Sequence, residues 1–271
     1  MKKPKIYLTN VALSLFLTTL FAAQLLMSSE QIPEKFDWHQ VIEIPELESH
    51  WWEGHQVINF FPKDKDYHNC PEAVDFVAEY LSGAQPFNTD AALLKYGSDQ
   101  VGIDGMYLEM GSGTGRTINF IAALNSEKII YGFDSFEGLP EAWVRGDSSA
   151  PQGTFAFKNS QMLPPVLHNV RLIKGWFNDS LPKFNENILK EGPIAFLHID
   201  CDLYSSTKSI FDILGDHIIP GTIIVFDEFY NYPGFENHEF KAFQEFLQRT
   251  GKKACYLGFN QYFEQVVIRI E

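Results

Sequence analysis

From Met106 onward the chain alternates short apolar runs with stretches of helical period, and acidic residues stand where several of the runs stop. The runs are Met106–Glu109, Ile129–Phe133, Val170–Lys174, Ile194–Ile199 and Thr222–Phe226, with helical patterns at Arg116–Leu124, Leu181–Lys190 and Ser205–Leu214 between them. Strands that alternate with helices predict a mainly parallel sheet covered on both faces. A helix over Glu236–Thr250 then precedes two β-rich runs, Lys253–Phe259 and Tyr262–Ile270, joined at Asn260–Gln261 as an antiparallel hairpin. Upstream, Val74, Val77, Ala78 and Leu81 mark a helix over Pro71–Leu81, and Thr89 or Asp90 caps another through Tyr96. The segment Glu137–Leu167 shows no pattern, and a stretch of that length inside a compact domain reads as a lid.

Composition narrows the function classes. With 21 basic and 35 acidic residues among 271, the net charge is −14, a poor basis for nucleic-acid binding. Three cysteines, Cys70, Cys201 and Cys255, form neither a disulfide framework nor a zinc spacing. The organisation expected is a hydrophobic segment over residues 1–29, a linker or lid region over 30–67 and the main domain over 68–271. Ile6 to Ser29 is uncharged and follows three lysines. As a helix it would extend roughly 36 Å, enough to span a bilayer. A membrane anchor, a cleaved signal and a buried or interfacial helix all remain open readings of it. The charge bias around it places the main domain outside the cytoplasm.

Three signals carry chemistry. The first is the glycine-rich turn Gly111-Ser112-Gly113-Thr114-Gly115 between a strand and a helix, which lets a ligand approach the backbone closely. Its spacing is not that of the dinucleotide fingerprint, and the acid before it, Glu109, suits a cationic ligand better than a pyrophosphate. The second is Asp134, which ends the next strand 21 residues after Gly113, the place from which an acid grips ribose hydroxyls. Phe136 beside it is placed to lie against a purine. The third is a carboxylate cluster: Asp200 and Asp202 follow one strand, Asp227 and Glu228 the next. Neighbouring strands would bring all four to one sheet edge, where they repel unless protonated or neutralised by a cation. Oxygen ligands favour Mg²⁺, Ca²⁺ or Mn²⁺ over zinc. His198 reads as a hydrogen-bonded core residue rather than a ligand, and Cys201 as a packed small residue. Trp143, Tyr204, Phe229, Tyr230 and Tyr232 are candidates for the wall of a substrate pocket.

The strings Leu-Glu-Met-Gly-Ser-Gly-Thr-Gly (108–115), Tyr-Gly-Phe-Asp-Ser-Phe-Glu-Gly-Leu-Pro-Glu-Ala-Trp (131–143), His-Ile-Asp-Cys-Asp-Leu-Tyr-Ser-Ser-Thr (198–207) and Pro-Gly-Thr-Ile-Ile-Val-Phe-Asp-Glu-Phe (220–229) resemble the macrocin O-methyltransferase type. These are class I S-adenosylmethionine-dependent enzymes that methylate sugar hydroxyls of macrolide and aminocoumarin antibiotics. The resemblance covers about residues 68–271. It implies a Rossmann-like α/β fold with a seven-stranded, mostly parallel sheet, the last strand antiparallel, and helices on both faces. It implies S-adenosyl-L-methionine and Mg²⁺ or another divalent cation as cofactors. The acceptor implied is a small molecule, a sugar or glycosylated metabolite; a homo-oligomer is left open. Carried over, Glu109, Gly111, Ser112 and Gly113 would line the methionine and ribose portion of the cofactor. Asp134 would bind the ribose, with Ser135 and Phe136 near the adenine. Asp200, Asp227 and Glu228 match the metal positions, and Asp202 the general base. Two departures stand out: Glu228 where an aspartate is frequent, and Cys201 where glycine is common. The hydrophobic extension lies outside the family pattern, and the supply of this cofactor favours a cytoplasm-facing domain, against the charge bias. The competing readings are a nicotinamide-dependent oxidoreductase and a non-catalytic, membrane-tethered binding module.

Overall fold

The computed structural model describes residues 70–157 and 163–271. The hydrophobic segment over 1–29 and the linker over 30–67 lie outside the described residues. Among the described residues no helix is long and apolar enough to cross a membrane.

Among the described residues ten strands form: β1 (Gln85–Phe87), β2 (Met106–Met110), β3 (Ile130–Asp134), β4 (Trp143–Arg145), β5 (Ser148–Ala150), β6 (Val170–Lys174), β7 (Ile194–Ile199), β8 (Ile218–Phe226), β9 (Ala254–Asn260) and β10 (Val266–Ile270). Eight build one sheet in the order β1-β9-β10-β8-β7-β2-β3-β6, and β10 alone runs antiparallel to its neighbours. The expected seven strands with an antiparallel last one are present. The eighth, β1, is a three-residue edge strand containing Pro86, which an edge tolerates because one side of it has no ladder to complete. All six residues of β7 are buried, as a parallel strand covered on both faces requires.

Among the described residues the α-helices are α1 (Pro71–Phe76), α2 (Asp90–Asp99), α3 (Arg116–Leu124), α4 (Phe177–Phe184), α5 (Tyr204–Leu214) and α6 (Glu239–Thr250). α1 continues as one wide π turn over Val77–Leu81, and this shifts its buried face. Ala73, Phe76 and Leu81 point inward, whereas Val74, expected on the apolar stripe, is 64% exposed. Phe76 sits among the rings of Phe229, Tyr230, Phe235 and Phe240, at centroid distances of 5.3–6.1 Å. α2 is capped by Thr89, whose Oγ1 accepts from the Ala92 N–H at 3.1 Å. α4 begins earlier than expected and carries Pro182 inside it. The final hairpin turns through residues 261–265, not at Asn260–Gln261. The Asn260 side chain organises that turn, with Oδ1 accepting from Tyr262 N–H and Nδ2 donating to Gln265 Oε1.

The chain leaves β2 toward β3 and β6 on one side and returns through β7, β8 and β10 on the other. The strand order therefore reverses between β2 and β7. A crevice opens at the carboxyl ends there, the usual place for a ligand in an open α/β sheet.

Candidate functional site

A cavity of ≈ 390 Å³ occupies that crevice. Its floor is the glycine turn after β2 and the ends of β7 and β8; the covering segment contributes Leu139, Pro140 and Phe155. That segment is not patternless. β4 and β5 pair as a hairpin, and Leu139 exchanges backbone hydrogen bonds with Gly153 and Thr154.

The turn after β2 is built by close approach. Gly111 has φ +95°, its N–H donates to Phe133 O at 2.8 Å, and a Cβ there would lie 1.6 Å from Asp200 O. No other residue fits. Gly113 N–H donates to Asp134 Oδ2 at 2.7 Å and Phe136 N–H to Oδ1 at 2.6 Å. Burial raises the Asp134 carboxyl, and these two N–H donors oppose the rise. Ser112 is buried with its Oγ unpartnered. Ser112, Gly113, Asp134 and Ser135 all line the cavity with Gly111. Glu109 and Phe136, expected beside the cofactor, do not. Glu109 is fully buried beneath the floor, and Phe136, at φ +57°, packs against Phe157 at 5.4 Å.

The ends of β7 and β8 are fixed in register by continued ladder bonds. Asp200 N–H donates to Met110 O and Asp227 N–H to Ile199 O, both at 2.9 Å. The acids thus meet at one edge, as expected, and Asp200, Asp202, Asp227 and Glu228 all line the cavity. Asp202 has φ +64° and is the middle residue of a tight turn closed by Leu203 N–H donating to Cys201 O at 2.6 Å. Burial, then the charges of Asp227 and Asp202, push the Asp200 carboxyl well up. Burial and then Asp227 push Asp202 up to about 7, against the pull of Arg145. Burial and then Asp202 raise Glu228 in the same way. One carboxylate oxygen each of Asp200 and Asp227 and a ring nitrogen of His198 lie within 4.8 Å of one another; Glu228 stands outside this group. His198 does make the core hydrogen bond expected of it, with Nδ1 3.0 Å from Glu109 Oε1.

Several residues reach the site with no sequence signal that points there. Asp90, at the start of α2, lies 3.5 Å from the Arg116 guanidinium, and both line the cavity. Burial raises Asp90 to about 7. Arg145 of the hairpin pairs with Glu264 and lies over two rings that meet edge to face, 4.5 Å from Trp143 and 4.3 Å from Tyr232. Glu239 is fully buried behind Cys201, whose N–H it accepts at 3.4 Å. As the first residue of α6 it reads in sequence as an ordinary helix-start acid. The aromatic wall needs correcting: Trp143, Phe229, Tyr230 and Tyr232 are core residues that do not line the cavity, and the Tyr204 hydroxyl donates to Glu245. Trp176, Phe177 and Phe263 provide aromatic lining instead.

The residues fit a divalent cation. Asp200, Asp202, Asp227, Glu228 and Glu239 bring five carboxyls together, while the two arginines that line the cavity, Arg116 and Arg145, are paired with further acids, Asp90 and Glu264. Buried Glu228 Oε2 and His198 Nε2 have no hydrogen-bond partner. The raised carboxyls take up protons where a cation would otherwise supply positive charge.

Residues 108–229 match the family described as a methyltransferase domain. Over 148 residues the chain is 27% identical to 8-demethyl-8-(2,3-dimethoxy-alpha-L-rhamnosyl)-tetracenomycin-C 4'-O-methyltransferase of Streptomyces olivaceus. The match covers 47% of this chain and 54% of that protein, so the chain spans about half the length of this curated relative. Among solved structures, the calicheamicin methyltransferase CalS11 is similar at TM-score 0.55 and 23% identity, over 66% of this chain and 78% of that one. The O-methyltransferase NovP has TM-score 0.49 and 18% identity over the same shares. The fold is that of class I Rossmann-like methyltransferases.

Proposed function

We propose that this chain, with its methyltransferase domain over residues 108–229, transfers a methyl group from S-adenosylmethionine to a hydroxyl of a sugar or glycosylated small molecule. One observation carries the reading: a single cavity holds both a glycine turn closed by an acid and a buried carboxylate set at the adjoining strand ends. Gly111, Ser112, Gly113, Asp134 and Ser135 form the cofactor side. Glu109 supports that floor from below through His198, and Phe136 shapes the turn after β3.

On the other side, Asp200, Asp227 and Glu228 are the residues to hold Mg²⁺ or another divalent cation. Bound there, a cation supplies Lewis acidity that makes an acceptor hydroxyl more acidic. Asp202 is the general base. It lines the cavity beside the cation-holding acids, where a carboxylate can take the proton of an acceptor hydroxyl. Arg145 and Glu264, on the same wall, orient the acceptor, while Leu139, Pro140 and Phe155 exclude water.

The test is incubation of the full chain with methyl-labelled S-adenosylmethionine and a panel of free sugars and glycosylated metabolites, with and without chelator. Product mass spectrometry should show one added methyl group, lost on chelation. Absence of both methyl transfer and calorimetric cofactor binding would overturn the reading.

A further inference from the structure

His198 lies opposite Glu109 of β2 and Val225 of β8 in the sheet register. Side chains alternate along a strand, so Glu109, His198 and Asp200 share one face, and Asp227, two residues after Val225, continues it. Glu109 and His198 are both 0% exposed, with Nδ1 3.0 Å from Glu109 Oε1. With the carboxylate accepting, the ring proton sits on Nδ1 and the Nε2 lone pair is free. Nε2 is buried and has no partner, an uncommon state for a polar atom in a folded core. One ring nitrogen of His198 and one carboxylate oxygen each of Asp200 and Asp227 lie within 4.8 Å of one another, and with Nδ1 held by Glu109 the nitrogen left to take a ligand is Nε2.

We propose that His198 is itself a metal ligand, through Nε2, in a set with Asp200 and Asp227, and that Glu109 is the positioning residue that fixes its ring. This rests on the reading that the site holds a cation, and it replaces the all-oxygen set with a mixed one. A carboxylate that accepts from the far nitrogen of a ligating histidine fixes its tautomer and orientation. It also gives Glu109 its place under the floor rather than in the cavity. Imidazole suits first-row transition ions such as Fe²⁺ better than Mg²⁺, so the site selects such an ion, and Mn²⁺ serves as its paramagnetic probe.

The experiment loads the full chain with Mn²⁺ and records pulsed electron paramagnetic resonance. Expected is a ¹⁴N coupling from a directly bound imidazole, with calorimetric Mn²⁺ affinity about tenfold or more above that for Mg²⁺. H198N should abolish the coupling and weaken Mn²⁺ binding by about 10- to 100-fold. E109Q should keep the coupling and weaken binding by about tenfold. The wild-type spectrum stands even if a variant fails to fold. Bound Mn²⁺ without nitrogen coupling overturns the proposal and leaves the methyltransferase reading in place. So does a chain that binds S-adenosylmethionine but no Mn²⁺. Failure of the methyltransferase reading registers separately, as absent calorimetric binding of S-adenosylmethionine.

Discussion

Asp134 clasps the glycine turn: one of its oxygens accepts from Gly113 N–H at 2.7 Å and the other from Phe136 N–H at 2.6 Å. The carboxylate therefore shapes the cofactor side from two directions before any ribose arrives. D134A should cost about 1–3 kcal/mol in urea unfolding, because both donors lose their acceptor. Calorimetry should show at least a tenfold loss of S-adenosylmethionine affinity. An unchanged unfolding midpoint would mean the clasp adds nothing to the fold.

Gly111 separates two strand ends that touch. G111A puts a methyl group 1.6 Å from Asp200 O at φ +95°, and the backbone has nowhere to move without breaking the β2–β7 ladder. The expected loss exceeds about 4 kcal/mol, read as insoluble expression or a collapsed thermal transition.

Asp202 is assigned the proton. D202N should lower turnover by about 10²- to 10⁴-fold while cofactor affinity stays within a few-fold of wild type. Normal turnover in this variant would remove Asp202 from the mechanism.

The buried acids make stability depend on pH with a definite sign. Asp90 and Asp202 rise from 3.8 to about 7 and Glu264 from 4.5 to about 7, chiefly through burial. Between about pH 4 and pH 7 the unfolded chain releases these protons while the folded one keeps them, so folding stability falls as pH rises. The metal-free protein should melt at a higher temperature near pH 5 than near pH 8. Adding Mn²⁺ or Mg²⁺ at the higher pH should recover part of the difference by mass action. A melting temperature that climbs toward pH 8 without metal would show the acids ionised inside the fold.

Arg145 tests the hairpin cover. Its guanidinium lies over both the Trp143 and Tyr232 rings and pairs with Glu264. Lysine keeps the charge but lacks a flat face for two rings, so R145K should lose about 1–2 kcal/mol of stability in denaturant titration. The acceptor KM should rise more than kcat falls.

What could be read in advance was local. A strand, a glycine turn and an acid 21 positions later are properties of contiguous or regularly spaced residues, and they lie where expected. The carboxylates at the ends of β7 and β8 followed from one step more, the pairing of successive strands. The remainder depends on partners far apart in the chain. Glu109 and His198 are 89 residues apart, and Arg145 and Glu264 are 119 apart. No spacing announces either pair. Tyr230 and Phe229 sit just past a strand end, which suggested a pocket wall, but Phe76 from α1 covers them. Sequence order alone does not say which neighbour arrives to bury an aromatic ring.

The tight turn at Asp202 has a consequence for how such a chain can vary. Its left-handed backbone favours glycine, the one residue free of the Cβ penalty there. D202G is thus a substitution in which comfort and competence part company. The replaced protein should resist heat better than its parent, yet be inert toward any acceptor. A screen for hardier variants would drift toward that change, and only selection for the chemistry would hold the aspartate where it is.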